Sequence, residues 1–270
     1  MFLYQHIVEI VTPMLQNGRK PKATVQACDN WHLHPRSTIM QTFFGVFLVS
    51  ALVLAVPVQA AERPAVVPDT MAQRLLACAS CHARKDVNDQ YFPRISGKPA
   101  GYLYNQLINF RDGRRQFPMM TYMVNHMSDD YLREIAAHFS AEHLPSPPAQ
   151  PSDAGAAVLE RGRQLATRGD PALKVPACVA CHGDKLTGIA PAVPGLLGLP
   201  RDYINAQFGA WRNHSRRALA PDCMAEITSR LSLSDVNAVA SWLGLQPLPP
   251  DPRPAEVIAR PLPVACGSVP

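Results

Sequence analysis

Cys-x-x-Cys-His occurs twice, as Cys78–Cys81–His82 and Cys178–Cys181–His182, and no other feature restricts this 270-residue chain as tightly. Each copy sets two thiols one helical turn apart, with an imidazole directly after the second. That arrangement can form two thioethers to a haem and present a histidine to its iron, the c-type attachment. Two other chemistries use the cysteine pair. A redox dithiol needs a strand before it and no trailing histidine, whereas residues 71–76 read as the end of a helix. A four-cysteine zinc site would have to bring both pairs together and would leave His82 and His182 unexplained. The pattern predicts two covalently bound haems c. Cys78, Cys81, Cys178 and Cys181 are the attachment points, and His82 and His182 are the proximal iron ligands.

The two motifs head two copies of one longer pattern. Tyr102, Gln106, Phe110, Arg111 and Arg115 match Tyr203, Gln207, Trp211, Arg212 and Arg216 at a constant offset of 101. Both copies then carry Met and Ser eight residues apart, Met120 with Ser128 and Met224 with Ser232. Each ends in a short amphipathic helix, around 132–139 and 236–243, with Ser128 and Ser234 as expected N-caps.

Attachment of haem in this way needs export, and a segment for it precedes the first motif. Residues 43–56 are almost unbroken apolar, followed by Pro57 and Val58-Gln59-Ala60-Ala61, a small-residue cleavage pattern. Residues 40–61 are therefore predicted to be a signal peptide cleaved near Ala60 or Ala61, with an uncleaved anchor as the alternative. Residues 1–39 read as a dispensable or wrongly started extension. The chain holds 26 Lys/Arg and 21 Asp/Glu; four and two of these lie in residues 1–61, leaving 22 and 19. A surplus that small, before haem carboxylates are added, predicts no nucleic-acid partner. Residues 62–145 form the first expected domain and 156–246 the second. Residues 146–155, which take in most of a stretch from Pro145 to Pro151 with four prolines, read as a stiff linker. The tail, 247–270, holds eight prolines and should lie extended over the surface.

For the sixth position on each iron the first half offers Met119, Met120, Met123 and Met127, with His126 nearby. The second half has one methionine, Met224, and the Met–Ser spacing matches it to Met120. Met120 and Met224 are the expected distal ligands, soft thioethers that raise the potential. His126 and His214 read as solvent-facing. Carbonyls of Pro93 and Pro194 are candidate acceptors for the proximal histidines, unless these prolines merely end a segment. Cys223 and Cys266, the even pair left after the haem cysteines and Cys28, are expected to form a disulfide beside Met224. Closing that loop would contribute about 4 kcal/mol in the chain-entropy model. The matched arginines Arg111, Arg115, Arg212 and Arg216 read by default as a solvated helix face; if they pair with haem carboxylates at the junction of the halves, Arg111 and Arg212, next to the aromatic of each repeat, are the better candidates.

Together, the two motifs, the Pro…Gly step after each, the Tyr-x-x-x-Gln helix and the methionine before the last helix resemble the dihaem cytochrome c4 family of class I c-type cytochromes. The likeness covers roughly 71–245. It implies an all-α fold of two tandem class I cytochrome c domains about a pseudo-twofold axis, joined by the Pro-rich linker. It also implies a periplasmic carrier, soluble or loosely held at the membrane. Ala83 departs from the pattern, since glycine usually follows the first motif as Gly183 follows the second. With both axial positions filled, neither iron can bind a substrate, so the chain reads as an electron carrier and not an enzyme. The expected partners are a quinol-oxidising complex or a dehydrogenase on one side and a terminal oxidase or reductase on the other. The alternative is a cytochrome subunit of a periplasmic dehydrogenase complex. A dihaem peroxidase is the third reading, disfavoured because no distal acid–base groups can be found.

Overall fold

A computed structural model describes residues 69–83, 89–145, 148–149, 151–258 and 260–270, all within one compact unit, Ala65–Pro270. The expected extension 1–39, the signal peptide 40–61 with its cleavage site, and part of the 146–155 linker lie outside the described residues. No helix among the described residues is long and apolar enough to cross a membrane.

Among the described residues the first half is built of five helical segments. Helix α1 (Met71–Arg74) starts at Thr70, whose Oγ1 accepts the Gln73 N–H, and breaks at Leu75. Helix α2 (Leu76–His82) carries the whole first motif in its last turns. Next come α3 (Ala100–Arg111), α4 (Pro118–Val124), with proline at its first position, and α5 (Asp129–Ala141). Ser128 caps α5 through the Tyr131 N–H, and Asp129 and Asp130 put negative charge at the positive end of its dipole.

The second half repeats the order. After α6 (Ala156–Thr167) and α7 (Val179–His182), strands β1 (Gly188–Ile189) and β2 (Val193–Pro194) pair antiparallel. Then follow α8 (Arg201–Arg212), α9 (Cys223–Arg230) and α10 (Leu233–Leu245). Helices α3 and α8 have 12 residues each, and α5 and α10 have 13. The cap of α10 differs from expectation: it is Ser232, not Ser234. Ser232 and Asp235 stand at N-cap and N3, so the Ser232 hydroxyl takes the Asp235 N–H while the Asp235 carboxylate takes the Ser232 N–H. Ser234 sits inside the first turn, its hydroxyl 2.8 Å from that of Ser232.

Apolar burial falls into two clusters, one per half. Leu75, Leu103, Phe110, Val124, Leu132, Ile135 and Phe139 form the first; Leu165, Val175, Ile204, Phe208, Leu231, Val239 and Leu243 belong to the second. In the second, α6 crosses α10 at Gly162, where an added Cβ would stand 2.1 Å from the Ala238 carbonyl oxygen. Backbone cannot yield as a side-chain tip can. Gly162→Ala should therefore lower stability by about 1–3 kcal/mol, read as an earlier denaturant midpoint of the haem-loaded protein.

The halves meet through equivalent residues. Arg115 and Arg216 form an isolated antiparallel bridge. Beside it, Gln116 N–H donates to Ser215 O and Arg217 N–H to Arg114 O, both at 2.7 Å. Antiparallel pairing of matched positions is what a twofold relation between the copies requires.

Candidate haem sites

One continuous cavity is lined by both motifs and both expected distal methionines: Cys78, Cys81, His82 and Met120 from the first half, Cys178, Cys181, His182 and Met224 from the second. The two motif histidines are held alike. The Nδ1 of His82 lies 2.8 Å from the Pro93 carbonyl oxygen, and that of His182 lies 2.8 Å from Pro194 O. A carbonyl can only accept, so Nδ1 carries the proton and the Nε2 lone pair is left for a metal. Burial lowers the pKa of both histidines, favouring the neutral ring that ligation needs.

The cysteines are set for covalent attachment and not for dithiol exchange. All four are half-buried and unpaired. Burial raises the Cys78 and Cys181 thiols and pushes Cys178 up to about 12, opposite to the depressed thiol of a redox pair. The zinc alternative fails on placement, because no group of three or more His, Cys, Asp or Glu side chains among the described residues could hold a metal ion.

Met119, Met120, Met123, Met127 and Met224 all line the cavity. Met119 is 54% exposed at the start of α4, whereas Met120 is half-buried against the first core. His126 and His214 are exposed, and neither is part of the lining. Cys223 and Cys266 are joined in a disulfide next to Met224. After the second motif the chain turns at Gly183 with φ +85°; after the first, Ala83 turns at φ −119°, so the missing glycine is met by a different exit from the motif.

The matched arginines divide into two pairs. Arg111 bonds Asp112 and Asp129 at 3.0 and 2.6 Å, and Arg212 donates to the carbonyls of Thr228 and Leu231. Neither lines the cavity. Arg115 and Arg216 do, at the junction of the halves. The chain reverses after α3 at Gly113 (φ +73°) and after α8 at His214 (φ +63°), which turns the residues just beyond back inward. Arg115 donates to Gln106 and Gln207 at 2.8 Å and to Tyr203 at 3.2 Å. Arg216 donates to Gln207 at 2.7 Å, Gln106 at 3.1 Å and Tyr102 at 3.4 Å. These are neutral acceptors for two facing cations. Burial and the Arg115 charge both pull the Arg216 guanidinium pKa down. Lys98 also lines the cavity, and burial lowers its pKa. Asp222, the one acid among the described lining residues, is spent capping α9 and accepting the Ala218 N–H. Trp211, with Arg216 3.9 Å above its ring, has a buried Nε1–H with no partner among the described residues. Apolar walls, two thiols, an imidazole and a thioether for each half, and unanswered cations and an N–H at the junction fit a flat apolar macrocycle with carboxylate tails.

Sequence comparison decides the family. No family model matches the chain. The thiosulfate dehydrogenase electron acceptor of Thiomonas intermedia is 33% identical over 213 residues, 78% of this chain and 94% of that protein. The protein of the same description from Stutzerimonas stutzeri is 34% identical, over 72% of this chain and 90% of its own. Cytochrome c4 of Pseudomonas aeruginosa is 31% identical, over 62% and 82%. This chain belongs to the dihaem cytochrome c4 family. Solved structures agree: reduced cytochrome c4 from Pseudomonas stutzeri aligns with TM-score 0.55 and 26% identity over 64% of this chain and 94% of that one. A thiosulfate dehydrogenase from Marichromatium purpuratum aligns with TM-score 0.57 and 32% identity over 63% of this chain, which spans 36% of that one.

As a dihaem cytochrome of this family the protein carries two covalently attached haems c on an all-α fold of two class I cytochrome domains, and it transfers electrons. Haem iron supplies a centre that takes up and returns one electron. The cytochrome's own residues do the rest. Pro93 and Pro194 carbonyls orient the His82 and His182 rings, the two cores exclude water, and the Arg115–Arg216 junction supplies positive charge shared between the halves. Among the matched arginines the sequence favoured Arg111 and Arg212 over Arg115 and Arg216 for this use, although the constant offset marks all four; Lys98 and Trp211 it missed.

Proposed function

We propose that this dihaem cytochrome is an exported, periplasmic electron acceptor for a dehydrogenase of the thiosulfate class, passing electrons onward to a terminal oxidase or reductase without turning over a substrate itself. The carrying observation is that the two relatives described as thiosulfate dehydrogenase electron acceptors match at 33 and 34% identity across 94 and 90% of their length. In this reading residues 62–145 and 156–246 each hold one haem, through Cys78, Cys81 and His82 and through Cys178, Cys181 and His182. Met120 and Met224 close the opposite faces, leaving no open coordination position for a substrate.

The test is direct. The oxidised holoprotein is mixed with thiosulfate and a catalytic amount of a thiosulfate dehydrogenase, and reduction of both haems is followed in the visible spectrum. Rapid reduction that needs both components is expected; none, with ascorbate still reducing both haems, refutes the assignment. The cytochrome c4 relative favours a second reading, a free carrier between a quinol-oxidising complex and an oxidase. Reduction by a quinol-oxidising complex and not by the dehydrogenase is its signature.

The distal ligands have their own test. Met120→Ala and Met224→Ala should each remove one haem's share of the weak far-red thioether–iron band. Each should also lower that haem's potential by on the order of 0.1–0.2 V, within the roughly 0.8 V range that axial ligands command. An unchanged oxidised spectrum in either variant assigns the ligand elsewhere.

A further inference from the structure

The C-terminal tail has no counterpart in the first half, and it touches the second site on both of its walls. On the proximal side Ala255 joins the ribbon: Ala190 N–H donates to Ala255 O at 2.7 Å and Ala255 N–H to Gly188 O at 2.9 Å. That ribbon carries Pro194, the residue holding His182. On the distal side Cys266 is bonded to Cys223, the residue before Met224. Gly267 then lies against the loop leading into α9. Its N–H donates to Pro221 O at 2.9 Å, and a Cβ there would stand 2.1 Å from Ala220 O. Leu262 and Val264, between these anchors, line the cavity. Beyond them the tail reaches the other half, where the Asn105 side chain on α3 donates to Ser268 O at 3.0 Å.

We infer that the tail between Ala255 and Ser268 is a strap that holds Met224 in place and seals the second haem against outside ligands. Met224 lies in the first turn of α9, an eight-residue helix. First-turn N–H groups lack helical partners, and beyond the Asp222 cap so short a helix has little hold of its own on that turn. A covalent bond one residue away and backbone packed on backbone at Gly267 supply that hold. The matching turn of the first half lacks this cover at one position: Met119, which stands where Cys223 stands in the second half, is 54% exposed while Cys223 is half-buried. The two haems thus differ in how readily their methionine can be displaced. Cys223, Cys266 and Asn105 are positioning residues in this arrangement, acting through Met224.

The inference rests on Met224 being the distal donor, which Met224→Ala in the otherwise unaltered chain tests separately. The strap itself is tested with imidazole as an outside ligand, titrated into the oxidised holoprotein and read from loss of the far-red band. Cys223→Ser/Cys266→Ser is compared with the unaltered chain and with a second variant, Cys223→Ser ending at Pro254. Added Met120→Ala or Met224→Ala tells which haem still contributes. In the unaltered chain imidazole should displace methionine first at the haem of Met120. In both strap variants affinity at the haem of Met224 should rise by about tenfold or more, as for loss of other groups that orient a metal ligand, with that haem's midpoint potential shifted and the first haem unchanged. Equal changes at both haems, or no change at either, overturn the strap.

Discussion

Serine at all four haem-attaching cysteines, Cys78, Cys81, Cys178 and Cys181, should leave a chain with no cooperative thermal transition by far-ultraviolet circular dichroism. Core and cavity wall are largely the same residues here. Leu103, Phe110, Ile135 and Phe139 in the first half, and Leu165, Ile204, Phe208 and Val239 in the second, belong to a core cluster and also face the cavity. That cavity measures about 520 Å3. At about 24 cal/mol per Å3 of void, leaving it empty would cost about 12 kcal/mol. Net stabilities of single domains are about 5–15 kcal/mol, so the haem-free fold has nothing to spare. Flooding the space with water instead wets the same apolar side chains. A sharp unfolding transition in the serine variant would show that the halves fold on protein contacts alone.

The second large effect is expected at the junction. Arg216→Gln should lower the midpoint potentials of both haems, not only the one attached in its own half. Arg216 is 6% exposed and donates to Gln106 and Tyr102 of the first half as well as Gln207 of its own. A nearby cation opposes the extra positive charge of an oxidised haem. Removing a unit charge about 10 Å away at an effective dielectric of about 20 is worth about 1.7 kcal/mol, or on the order of 70 mV for one electron. Arg216→Lys keeps the charge but loses the fork that serves Gln and Tyr together, so it should retain most of the potential. Arg111→Gln, on the outer surface with Asp112 and Asp129, should move neither value. Redox titration with spectral resolution of the two haems reads all three. A fall confined to one haem would mean that the junction is not shared.

The chemistry was legible before the fold because it is written in local spacing. Cys-x-x-Cys-His needs only one helical turn to set its thiols and imidazole, and the prolines that orient the rings follow within a dozen residues. Helix starts were nearly as legible, since capping is also local. The slip from Ser232 to Ser234 came from two serines in one turn, and the acid three residues after Ser232 is what separates them. The arginines were harder. Arg111 and Arg115 repeat equally well, and their opposite fates follow from a positive-φ turn between them.

Two haem attachments, the histidine that follows each and a duplicated helical frame are thus properties of the sequence alone, because covalent attachment and helix geometry act over a few residues. Which cations face the cavity, and that the tail is bonded beside Met224, were decided only by tertiary structure. Those outcomes depend on how chain segments some 100 residues apart, such as Arg115 and Arg216, are brought together by packing. Burial energy ranks such arrangements over the whole molecule, and no local pattern carries that ranking.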